Sequence, residues 1–122
     1  MPSPDLSNVE TLDASQVGEL LAQPVDEGSL FQRLHGIFIA EGTELAGELR
    51  GLLPDGDRSE IHDLFHKLKG SSAAMGAKRV HELAAFAVSV CREDGDLGQL
   101  LDLPDRIEAE YGRYDSEARR YL

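Results

Sequence analysis

Several things are scarce in this sequence, and each scarcity excludes something. Among its 122 residues there is one cysteine, Cys91, so an intrachain disulfide cannot form, and a lone thiol is too little for a cysteine-based zinc site. Cys91 therefore reads as a small core hydrophobe in a reducing compartment. Tryptophan is absent and aromatics make up only 6% of the chain. The apolar content rests on Leu, Ala, Val and Ile, a mixture that helices accommodate readily. Positive charge is also short: 12 Lys and Arg face 23 Asp and Glu, a formal net charge of -11. Such a field repels nucleic acid and anionic lipid surfaces, so neither is an expected partner. No apolar run approaches the roughly 20 residues that span a bilayer, and no basic segment precedes an apolar one at the start. The expectation is a cytoplasmic, monomeric, single-domain protein, with the initiator Met and a short polar arm favouring an independent chain.

What is present is helical periodicity. Residues 1–12 are polar with two prolines and predict a flexible arm; residues 13–122 predict one domain. Asp13 can cap a short helix through Gln23 with Val17, Leu20 and Leu21 inward, before Pro24 and Gly28 end it. Ser29 caps a long helix whose stripe is Phe31, Leu34, Phe38, Leu45, Leu49 and Leu52. Gly36, Gly42 and Gly47 lie inside it, each costing up to about 1 kcal/mol of propensity, so tertiary packing must hold it together. After the Pro54–Asp57 turn, a third helix spans Arg58 to Met75 and stops at Gly76. A fourth runs from Lys78 to about Glu93, with Val80, Leu83, Ala84, Ala87 and Cys91 inward. The fifth runs from Leu103 to Arg120, with Pro104 in its first turn. The fold class is all-α: an antiparallel four-helix bundle with an additional short N-terminal helix.

One histidine faces the wrong way for a core residue. With successive residues about 100° apart around a helix, the stripe through Ile61, Leu64, Phe65 and Leu68 leaves His66 on the opposite side, towards solvent. Its neighbours there are His62 one turn before, and Lys69 and Gly70 one turn after. A glycine inside a helix invites a reason, and room for a bulky group at His66 supplies one. An exposed imidazole has a reference pKa of about 6.5, so near neutral pH a ring nitrogen can act as a nucleophile without a dedicated base. A lysine one turn away can stabilise a phosphoryl group placed there. Ser72 turns towards the core, where a helix carbonyl is its natural acceptor.

The run His66-Lys67-Leu68-Lys69-Gly70-Ser71-Ser72-Ala73-Ala74-Met75-Gly76-Ala77 resembles the signature of histidine-containing phosphotransfer domains, His-x-Leu-Lys-Gly-Ser-Ser followed by Gly-Ala. The likeness in helix order covers about Ser29 to Arg120. It implies that His66 accepts the phosphoryl group, that Lys69 is its charge partner, and that Gly70 keeps the surface open for a docking receiver domain. It further implies a carrier in a multistep two-component phosphorelay, moving a phosphoryl group between receiver-domain aspartates. The partners implied are receiver domains of a hybrid histidine kinase and of a response regulator. Such domains hold no ATP site and need no cofactor or metal of their own; the receiver brings the acidic pocket and its magnesium. Many also carry a Gln or Glu on the following helix that hydrogen-bonds the imidazole. The count places Val88 there, a side chain that offers no hydrogen bond.

Other readings compete at single residues. His62 and His66, spaced i,i+4, could chelate a metal, but the sequence fixes no third ligand. His81-Glu82 lacks the second histidine of a His-Glu-x-x-His zinc site, so His81 reads as an ordinary surface residue. His35 reads as partly buried and structural, and Ile37 and Ile39 as partner-facing. The rival to a carrier is a helical adaptor that binds receiver domains or other signalling partners without transferring anything. The intact set of His66, Lys69 and Gly70 favours the carrier. No glycine-rich nucleotide loop supports a kinase.

Overall fold

Three of the helices begin where a side chain satisfies the free amides of the first turn. In the computed structural model, which describes residues 3–122, α1 (Ala14–Leu21) follows Asp13, whose carboxylate accepts from the amides of Ser15 and Gln16. The second helix, α2 (Leu30–Leu52), opens on a reciprocal pair: Ser29 Oγ accepts from the Gln32 amide at 3.2 Å, while Gln32 Oε1 accepts from the Ser29 amide at 2.9 Å. Asp57 caps α3 (Arg58–Met75) through the amides of Ser59 and Glu60. That helix ends at Gly76, whose φ of 69° lies in the left-handed region that glycine tolerates best, and the Ala77 amide reaches back to the Ser72 carbonyl at 2.9 Å. Helix α4 (Lys78–Arg92) starts directly after this turn, and α5 (Leu103–Ala118) starts with Pro104 in its first turn.

The long helices close a ring in which α2 touches α3 and α5, and α4 touches α3 and α5. Contacts between opposite ends make the neighbours antiparallel. Arg58, at the start of α3, donates to the carbonyls of Val90, Cys91 and Gly95 at the end of α4. Arg50, near the end of α2, donates to Asp105 at 2.6 Å and Glu108 at 2.7 Å near the start of α5. At the other end of that pair, His35 Nε2 lies 2.9 Å from Asp115 Oδ1. Phe31, Phe38, Leu49, Ile61, Phe65, Leu68, Leu83, Ile107 and Tyr114 fill the space between, so the expected apolar faces do meet in one core. Helix α1 closes the end of the bundle where α3 turns into α4: the Asp13 amide bonds the Gly76 carbonyl at 2.8 Å, and Gln16 Nε2 bonds that of Ala74 at 2.7 Å. The fold is the expected helical bundle with its short extra helix.

The differences lie between and at the ends of helices. Helix α1 stops at Leu21, not Gln23, and the last turn of the chain tightens into a 3₁₀ turn over Arg119–Tyr121. A second 3₁₀ turn, Leu97–Leu100, follows the glycine-rich end of α4 and buries Leu97 and Leu100, because the connection to α5 crosses an apolar part of the bundle. The arm is also not free. Met1 and Pro2 lie outside the described residues, but Leu6 and Leu12 are buried, and Arg79 donates to the Val9 carbonyl at 2.8 Å. Arg106 holds Ser3 Oγ at 2.9 Å and the Pro4 carbonyl at 3.0 Å. Proline and polar content suggested looseness, whereas two leucines and two arginine clamps fasten this segment to the bundle. One acidic residue, Glu110, is also interior at 4% exposure, where Arg113 at 2.8 Å and Arg79 at 3.5 Å balance its charge.

Candidate functional site

Helix α3 turns Ile61, Phe65, Leu68 and Ser72 fully inward, and this fixes what the other side can present. His66, one position after Phe65, is exposed. Lys69 is half-buried and, among the described residues, forms no ion pair, so its charge remains available to an incoming anion. Gly70 is exposed, and a Cβ built on it would meet nothing within 4 Å. The three residues singled out in the sequence therefore occupy one open stretch of helix surface. The hydroxyl of Ser72 turns inward and donates to the Leu68 carbonyl at 2.6 Å, with the Lys69 carbonyl at 3.1 Å, which leaves it no role on the open side.

Two further histidines join this region. The ring of His62 stacks on that of His66, with centroids 5.8 Å apart and planes within 9°. His62 Nδ1 lies 3.0 Å from Asp63 Oδ1, and since a carboxylate only accepts, that nitrogen carries the proton. Its other nitrogen, Nε2, is shielded and makes no hydrogen bond. From α4, His81 Nδ1 donates to the Lys69 carbonyl at 3.0 Å. His81 is thus half-buried and ties α4 to the backbone of the turn that carries Lys69, so its reading as an ordinary surface residue is corrected. Helical periodicity could not have found this contact, which depends on how far α4 slides along α3. Val88 is 2% exposed and packs in the core, so α4 offers no polar group at that position.

On the other flank of His66, a groove runs between α2 and α3, lined by Ile37, Glu41, Glu44, Glu48, Leu64 and Lys67. Ile37 is 60% exposed at its edge. Ile39, by contrast, packs against the core, which corrects its reading as partner-facing. Cys91 is buried, and burial pushes its thiol pKa up, which disfavours the thiolate form that a nucleophile requires. Among the described residues no group of three His, Cys, Asp or Glu comes together that could hold a metal ion.

An exposed histidine followed by an accessible lysine and a bare helix surface, all on one member of a four-helix ring, has a counterpart among known families. Residues 33–117, well over half of the chain, match the family model of the Hpt domain. The chain belongs to the Hpt domain family. No curated protein and no solved structure gave a match. Hpt domains act in histidine phosphotransfer in two-component signalling, as phosphoryl carriers rather than kinases, and interact there with receiver domains. The match spans α3 and α4 whole and nearly all of α2 and α5, and leaves out the arm and α1. Among the described residues no helix of this Hpt domain is long and apolar enough to cross a membrane.

Proposed function

We propose that this Hpt domain carries a phosphoryl group on His66 in a multistep phosphorelay, taking it from the aspartyl phosphate of one receiver domain and passing it to the aspartate of another. The observation that carries the reading is the open surface around an exposed imidazole: Gly70 has no neighbour within 4 Å of where a side chain would begin, and Lys69 stands one turn from the ring without an ion pair. In the forward step the lone pair of a His66 ring nitrogen forms a bond to phosphorus. The phosphorus–oxygen bond to the aspartate breaks, its electron pair stays on the leaving carboxylate, and the proton on the other ring nitrogen can pass to water. Return to a second aspartate reverses these changes. Lys69 lowers the energy of the transferring group by bringing positive charge to its oxygens. The receiver is expected to lie over α3 and the α2–α3 groove, where exposed Ile37 and partly buried Leu64 offer apolar contact.

The test is phosphorylation by a panel of phosphorylated receiver domains, with acid lability of the product as the mark of phosphohistidine. Wild type should be labelled and His66→Gln should not, with helical content unchanged. Equal labelling of both proteins rejects His66 as the acceptor. Binding of receivers with no labelling of either would support the adaptor reading instead.

A further inference from the structure

We infer that His62 is a positioning residue for His66, holding the reactive imidazole by ring stacking. The inference rests on the reading of His66 as the phosphoryl carrier and addresses what orients that side chain. An exposed histidine on a helix can occupy more than one χ1 well and turns freely about χ2. A nucleophile spread over several orientations spends little time in the one that meets phosphorus in line, so fixing it beforehand raises the rate without tightening binding.

Among the described residues no hydrogen bond holds the His66 ring, and Val88 of α4 is turned into the core. What does meet the ring is His62, nearly parallel to it at a centroid distance of 5.8 Å. His62 is better fixed than its partner. Its side chain is only 24% exposed, and Nδ1 lies 3.0 Å from Asp63 Oδ1. Partial burial limits the ring's freedom, the i,i+4 spacing sets it beside His66, and the contact with Asp63, itself 76% exposed, adds little. His62 thus presents a flat, partly buried face to a ring with no hydrogen bond of its own.

Two substitutions separate stacking from the ring's polar atoms. His62→Ala removes the face, whereas His62→Phe keeps a flat ring at the same position and removes both nitrogens. From a phosphorylated receiver, His62→Ala should lower the maximal transfer rate about two- to tenfold, the range expected for losing one aromatic pair, with the receiver concentration for half-maximal rate unchanged. His62→Phe should recover most of that rate. An unchanged rate in His62→Ala, a loss seen only in apparent affinity, or a Phe variant as slow as the Ala variant would each overturn the inference. A second measurement does not need phosphotransfer: in the unphosphorylated protein, the His66 ring protons should lose their ring-current shift in His62→Ala and keep one in His62→Phe. If no receiver labels the wild type, the carrier reading fails, and the His66 ring signals still decide whether His62 positions it. Identical His66 signals in wild type and His62→Ala would overturn the positioning role.

Discussion

Gly70 places function and stability in opposition at a single residue. Glycine inside a helix gives up about 1 kcal/mol relative to alanine, and here no neighbour demands the missing side chain, since a Cβ would meet nothing within 4 Å. Gly70→Ala should therefore raise the stability of the free domain by up to about 1 kcal/mol, read as a higher denaturation midpoint in urea at unchanged slope. Gly70→Gln should also fold, while blocking transfer by filling the surface the receiver must cover. Normal transfer by the Gln variant would show that the bare surface is not needed for docking. A destabilised Ala variant would show that the position is crowded in solution.

At the scale of elements, the glycines of α2 separate into two kinds that propensity alone cannot distinguish. Gly36 and Gly47 have open space where a Cβ would stand, but at Gly42 it would run into the Tyr111 ring of α5. That close approach lets Tyr111 lie against Phe38, ring centroids 4.7 Å apart, and brings the two helices together at mid-length. Gly42→Ala should accordingly cost about 1–3 kcal/mol by overpacking, whereas Gly47→Ala should be neutral or stabilising, a contrast that parallel urea titrations resolve. The same distinction marks how far the sequence could be read. The five helices, their caps at Asp13 and Ser29 and the outward turn of His66 follow from local chemistry and a 3.6-residue period, both visible in one dimension. The clamps on the arm, the buried Glu110 and the bond from His81 to the Lys69 carbonyl depend on the register between helices. The stacking of His62 on His66 depends on rotamers as well, so spacing brought these two rings to one face without showing that they touch.

For the molecule as a whole, the net charge of -11 and the buried phenols act together at high pH. Burial raises the pKa of Tyr111 above its ordinary 10.0, with the Glu41 carboxylate adding to the effect, and burial alone raises that of Tyr114. The folded state therefore keeps protons that the unfolded chain releases near pH 10. The stabilisation is fully present below that pH and is lost as pH rises above it, because unfolding then frees protons. The slope can reach about 1.4 kcal/mol per pH unit for each tyrosine. Each ionisation also adds negative charge to a chain already rich in it, which further disfavours the compact state. Stability measured by urea titration should stay level with respect to these groups up to about pH 9 and fall steeply beyond 10. The two phenols should differ on substitution. Tyr114 donates to the Met75 carbonyl at 2.5 Å, so Tyr114→Phe should cost about 1 kcal/mol at neutral pH as well as softening the alkaline fall. The hydroxyl of Tyr111, close to Ser71 and the Glu41 carboxylate, finds no well-placed hydrogen-bond partner. Tyr111→Phe should thus leave neutral stability nearly unchanged and still reduce the alkaline slope. If both variants fall with pH as steeply as wild type, the loss arises from general charge repulsion and not from the buried phenols.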